Sequence, residues 1–184
     1  GIRDTQLSRG LGDVYKRQLY SHAVSLRDLG CTQSPMNAWI TLNGVETLPL
    51  RMERHVENAQ KVAGFLQQHP SVEWVSYAGL SSSPYYQLAQ KYLQGKAGSV
   101  FTFGIRGGYE SGLRLLEKVE LFSHVSNIGD SRSLILHPAS TTHRQLSDEQ
   151  RLTAGAGPEV IRLSVGIESA EDLIADLEQA LEGL

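Results

Sequence analysis

Cysteine is nearly absent. The 184 residues contain one, Cys31, which excludes an internal disulfide and a structural zinc site built on several thiolates. Proline is scarce at six residues, and no apolar run approaches the ~20 residues that a bilayer-crossing helix needs. Neither sign of charge dominates, with 17 Lys and Arg against 20 Asp and Glu and a net charge of -3. The chain therefore lacks the positive field that gathers nucleic acid or an acidic membrane surface. These absences predict a soluble protein with neither nucleic acid nor membrane as partner, and a lone thiol fits a reducing cytoplasm. The length predicts one domain with one sizeable core.

Residues 1–18, GIRDTQLSRGLGDVYKRQ, have no sustained apolar face and no apolar centre followed by a small-residue cleavage site, so they are no secretory signal. The string LSRGLGDVYKRQ resembles translated sequencing-adapter sequence, and residues 1–18 are expected to be non-native. Setting them aside removes more basic than acidic residues and leaves a more acidic remainder.

From Leu19 the pattern is helical first. LYSHAVSLRDL places Leu19, Ala23, Leu26 and Leu29 on one side before Gly30, and Ser34-Pro35 restarts a helix that Gly44 is expected to interrupt. A longer helix spans about Leu48 to Gln68, with Leu48, Met52, His55 or Val56, Ala59, Val62, Ala63 and Leu66 in register. Pro49 belongs in its first turn, and His69-Pro70 ends it. Strands then alternate with helices: Val72 to Tyr77, Val100 to Ile105, Leu121 to Val125, Ser133 to Leu136 and Val160 to Val165 read as strands. Helices fall at Tyr109 to Lys118, after the capping box Ser147-Asp148-Glu149-Gln150, and after Ser169. The fold class is α+β, a layer of mixed sheet and helices.

Strict alternation in VIRLSV puts Ile161, Leu163 and Val165 on one face and Arg162 and Ser164 on the other. A guanidinium held by a strand is a good bidentate partner for a carboxylate, and the plainer alternatives are a solvated arginine or an internal ion pair. The stretch SNIGDSRSLILHPASTTH, Ser126 to His143, clusters turn-forming and hydrogen-bonding residues suited to a small polar ligand. His137 and His143 lack metal-pair spacing and read as structural. Ser140, Thr141 and Thr142 carry no nucleophile motif, and Gly104, Gly107 and Gly108 form no dinucleotide or phosphate loop. Lys61, Lys91, Lys96 and Lys118 all sit in polar or amphipathic surroundings where a solvated amine is the default.

The series SPMNAWITLNGVETLPLRMERH, SNIGDSRSLILHPASTTH and VIRLSVGIE, in that order and spacing, resembles the C-terminal part of the Cys/Met-metabolism family of pyridoxal-phosphate enzymes. The resemblance runs from about Leu19 to Leu184. It implies the small C-terminal domain of a fold-type I enzyme, with a mixed, mostly antiparallel sheet, helices on one face and long leading helices. Residues 19–70 would then be leading helices and 71–184 the C-terminal α/β domain. The resemblance implies that Arg162 binds the substrate α-carboxylate, that Asn127 contacts the carboxylate region and that Ser126 is a specificity position. Asn127 favours the branch that replaces the acetate of O-acetylhomoserine with sulfide or a thiol, giving homocysteine or methionine. The alternatives are a methionine γ-lyase, a cystathionine synthase or lyase, or a non-catalytic truncated module. Pyridoxal 5'-phosphate is the implied cofactor and a homotetramer the implied assembly. The cofactor-linking lysine has no counterpart here, so no catalytic residue is assigned to this chain, which is expected to be inactive alone and to expose apolar surface on its leading helices.

Overall fold

The computed structural model describes residues 10–184, with side chains from Tyr15 onward. The expectation that residues 1–18 are non-native lies partly outside the described residues. Contacts divide the chain into two compact units, residues up to Glu46 and residues from Thr47.

In the first unit, helix α1 (Gly10–Tyr20) runs through a π-helical turn at Ser21–Leu26 into α2 (Arg27–Leu29), and α3 covers Pro35–Glu46. The Ser34 hydroxyl accepts from the Asn37 N–H at 3.2 Å, the cap expected before Pro35. The helix continues through Gly44, because one glycine costs only about 1 kcal/mol relative to alanine in a helix. Apolar residues surround α3: Met36, Trp39 and Ile40 lie on one side and Leu42 and Val45 on the other, and all five are exposed. Tyr15, Leu19, Tyr20, Val24, Leu26 and Leu29 are exposed as well. The leading helices thus present apolar surface, as anticipated.

The second unit opens with α4 (Leu48–Gln68), which carries Pro49 in its first turn and ends at the extended His69. The boundary expected at residue 70 falls instead after Glu46, because Ala59, Val62, Ala63 and Leu66 of α4 are wholly buried in the core of the second unit. At the position where the periodicity allowed His55 or Val56, His55 is the buried residue.

Five strands follow, β1 (Val72–Ser76), β2 (Val100–Ile105), β3 (Ser123–His124), β4 (Leu134–Leu136) and β5 (Val160–Ser164), in the sheet order β1-β2-β5-β4-β3. Every pair is antiparallel except β3 with β4. Helix α5 (Tyr86–Leu93), which the sequence reading did not anticipate, buries only Ala89 and so leaves no periodic apolar signature. Helix α6 is Gly108–Lys118, α7 is Asp148–Thr153 and α8 is Ala170–Leu181. Both residues of the expected capping box make their bonds before α7, and Ser169 caps α8 by accepting from the Asp172 N–H.

Phe101, Phe103 and Ile105 of β2 and Ile161 and Leu163 of β5, with Val165 beyond it, face a core completed by α4, by Leu115 of α6 and by Leu173, Leu177 and Leu181 of α8. Helices α4, α6 and α8 therefore share one face of the sheet. On the other face, the Trp74 indole crosses β2 at its register partner Gly104, where a Cβ would collide with the ring.

The buried carboxylate of Asp176 on α8 accepts from three consecutive backbone N–H groups, Glu120 at 2.8 Å, Leu121 at 2.9 Å and Phe122 at 3.2 Å. It thereby fixes the connection between α6 and β3. Asp176→Ala leaves those donors unpaired, and the expected loss in urea unfolding is on the order of 2–3 kcal/mol; an unchanged midpoint would contradict this role.

Candidate functional site

Strand β5 is bonded on both edges, Arg162 pairing with Thr102 of β2 and with Leu136 of β4. With Ile161 and Leu163 committed to the core, Arg162 projects from the opposite face, as the alternation required. Across the strands the row reads Ser76, Thr102, Arg162, so two hydroxyl residues lead to the guanidinium. Arg162 is half-buried, and its Nη2 donates to the backbone carbonyl of Asn127 at 3.0 Å. No carboxylate among the described residues pairs with it. Of the readings left open by the sequence, the internal ion pair is not formed among the described residues, and a solvated arginine and a carboxylate-binding one both fit this geometry.

The loop between β3 and β4 carries the other two predicted site residues. Asn127 is exposed, and its Oδ1 accepts from the Ile128 N–H at 2.9 Å. What holds Arg162 is the main chain of Asn127 rather than its side chain, a contact no side-chain pattern discloses. Ser126 is exposed beside it. Asp130 binds the backbone N–H of Arg132 at 3.0 Å and its guanidinium at 3.4 Å, and these contacts hold its carboxyl below the ordinary value.

The loop is clamped to the turn that follows β5. Ile167 N–H donates to Ser131 O at 2.9 Å, and Glu168 accepts from both the backbone N–H and the hydroxyl of Ser133, at 2.6 and 2.9 Å. Gly166 N–H donates to the Ser133 hydroxyl at 2.7 Å, and a Cβ at Gly166 would overlap the backbone of Ser131 and Arg132. Glycine is thus required by a close approach of main chains. Sequence reasoning singled out neither Ser133 nor Glu168, whose contact spans 35 positions.

His137 is structural, as expected. It is fully buried, with Nε2 donating to Pro158 O at 2.9 Å and Nδ1 3.0 Å from the Ser140 hydroxyl, and Tyr109 stands edge-on to its ring. Nδ1 of His143 lies 2.9 Å from the Thr142 hydroxyl. Among the described residues no cluster of His, Cys, Asp and Glu could hold a metal ion, and no helix is long and apolar enough to cross a membrane.

The lysines do not fit a covalently held carbonyl cofactor. Lys61 pairs with Glu57 at 3.0 Å, Lys96 with Glu53 at 3.3 Å, Lys118 donates to Glu182 O, and Lys91 lies over the Tyr92 ring, all on exposed surface. Lys16 is exposed too. The chemistry these residues can perform is recognition of an anion at Arg162.

A family model described as Cys/Met metabolism PLP-dependent enzyme matches residues 10–182. The chain belongs to the Cys/Met-metabolism family of PLP-dependent enzymes. Within this family it is 53% identical over 181 residues to O-acetyl-L-homoserine sulfhydrylase 1 of Thermus thermophilus, covering 98% of this chain and 42% of that protein. It is 52% identical to the O-acetyl-L-homoserine sulfhydrylase of Leptospira meyeri, covering 90% of this chain and 38% of the relative. The crystal structure of an O-acetylhomoserine (thiol)-lyase from Campylobacter jejuni, solved with a pyridoxyl-lysine monophosphate, superimposes with a TM-score of 0.82. That match has 46% identity and covers 90% of this chain and 39% of that one. The chain therefore spans about two fifths of the length of these family members.

Two outcomes are expected from the chain itself. Borohydride added to a mixture with pyridoxal phosphate should label the exposed lysines at comparable low levels; stoichiometric trapping at a single lysine would overturn the reading of the lysines. Burial pushes the His137 imidazole below its ordinary value of 6.5, with the Pro158 carbonyl opposing the shift. An unfolded His137 protonates first as pH falls, so its contribution is present above 6.5 and is lost as pH falls through the lowered folded value. The urea midpoint should drop between pH 7 and about 5, and His137→Gln, which keeps a donor near Nε2 and cannot titrate, should flatten that part of the profile.

Proposed function

We propose that this chain is the C-terminal, carboxylate-binding part of a longer PLP-dependent O-acetylhomoserine sulfhydrylase. The reaction exchanges the acetate of O-acetylhomoserine for a sulfur nucleophile: a C–S bond forms at Cγ, the C–O bond to acetate breaks, and acetate leaves. Sulfide gives homocysteine, and methanethiol gives methionine. The observation that carries the reading is a half-buried, strand-held guanidinium with one N–H group on Asn127 O and no carboxylate partner among the described residues.

Arg162 takes the α-carboxylate of the amino-acid substrate and so sets the direction of its Cα substituents. Asn127 contributes through its backbone, which orients the guanidinium, and its exposed side-chain amide is the proposed second donor to the carboxylate region. Ser126, exposed next to it, is the proposed specificity position. Cofactor attachment falls to the part of the longer enzyme outside the span of this chain, since the lysines here do not fit it. The exposed apolar side chains of α3 and the lone exposed Cys31 support a cytoplasmic homo-oligomer in which those helices are covered.

In the full-length enzyme, Arg162→Ala should raise KM for O-acetylhomoserine about a hundredfold, since a charge-assisted contact of about 1.5–3 kcal/mol is lost along with the substrate's orientation. Arg162→Lys should recover only part of this loss. An unchanged kcat/KM in both variants would overturn the assignment.

A further inference from the structure

Helix α4 reaches the turn after β5 with four hydrogen bonds from three side chains. The carbonyl of Val165 can only accept, so His55 Nδ1 donates to it, at 2.6 Å. Asn58 Nδ2 donates to both Gly166 O at 3.0 Å and Glu168 O at 2.8 Å, and Arg54 adds a longer bond to Glu168 O at 3.3 Å. The turn in turn binds Ser131 and Ser133, and the loop carrying them presents Asn127 O to Arg162. Hydrogen bonds, joined by the short stretch of main chain from Ser131 back to Asn127, therefore link a long helix anchored in the core to the guanidinium.

Stability alone does not account for the residues chosen. His55 and Asn58 occupy the stripe of α4 otherwise filled by Ala59, Val62, Ala63 and Leu66, and both are essentially inaccessible to solvent. Each satisfies one end of its side chain and leaves the other, Nε2 of His55 and Oδ1 of Asn58, buried without a partner. Unpaired buried acceptors are destabilising, so two polar groups here weaken the packing that an apolar stripe would supply. What they deliver is direction: two carbonyls one residue apart, directly after β5, held by side chains on rigid helical backbone.

We propose that His55 and Asn58 are positioning residues that act through the β5–α8 turn to hold Arg162 in the orientation that receives the substrate carboxylate. This rests on the carboxylate-binding role proposed for Arg162. Misplacement of a binding group by about 1 Å can cost up to 10²-fold in rate, so a turn freed from α4 is sufficient to weaken substrate binding while leaving remote chemistry intact.

The test is made in the full-length enzyme with steady-state kinetics on O-acetylhomoserine. His55→Asn keeps an amide donor near Nδ1, whereas His55→Gln moves it toward Nε2, so the two variants separate the Val165 contact from polarity alone. His55→Gln and Asn58→Leu should raise KM about five- to tenfold with kcat within about twofold, while His55→Asn should stay within about twofold of the parent. Ser147→Ala, which removes the cap of α7 and whose bonds reach neither the Asn127 loop nor the β5–α8 turn, serves as the control for lost stability and should leave KM unchanged. The proposal is overturned if His55→Asn and His55→Gln behave alike, or if Asn58→Leu moves KM no more than Ser147→Ala does. If Arg162→Ala also leaves KM unchanged, the carboxylate-binding reading has failed and the positioning role falls with it; if Arg162→Ala raises KM and the α4 variants do not, only the positioning role is lost.

Discussion

Strand β5 has hydrogen-bonded neighbours on both edges, so its backbone is unable to turn about its own axis. Its apolar side chains are drawn into the core by α4, α6 and α8, and the same pleat then has no choice but to present Arg162 and Ser164 on the opposite side. Burial of Ile161, Leu163 and Val165 removes apolar area worth roughly 1.5–3 kcal/mol per side chain. A slip of one residue would exchange the two faces and bury the guanidinium, so register and site are one constraint.

That constraint sets only the direction of the arginine stem. The end of the side chain is placed by main chain from a different part of the sequence, since Asn127 O takes one N–H group and the loop carrying Asn127 is clamped by Ser131, Ser133 and Glu168. The absence of a Cβ at Gly166 permits the two backbones to meet. Arg162 is thus oriented without being neutralised, the condition for a group that receives an external anion. The first unit follows a different logic, with apolar residues around the whole of α3 and almost none covered.

Most elements were legible because their causes are local. The 3.6-residue stripe of α4, the β-branched runs of β2 and β5 and the serine caps of α7 and α8 each arise from interactions within a few positions. Helix α5 was not legible, since it rests a single alanine on the core and follows a run of serines. Gly44 failed as a helix stop because its cost is small compared with the bonds of a twelve-residue helix. In the site, Arg162 could be found from alternation and family motifs, but the clamp could not. Its one local trace is the pair of polar residues, His55 and Asn58, in the middle of an apolar stripe, where each marks a buried hydrogen bond whose partner lies about 110 positions away.

By itself the sequence determined most of the helices and strands, the two faces of β5 and the family to which the motifs belong, because periodicity, capping and motif spacing depend on neighbours in the chain. Only the tertiary structure decided that α4 belongs with the sheet, that Arg162 has no counter-ion among the described residues, and that a backbone carbonyl holds it while α4 binds the turn after β5. Those outcomes depend on which distant groups come within hydrogen-bonding distance, and sheet order and helix packing alone set that distance.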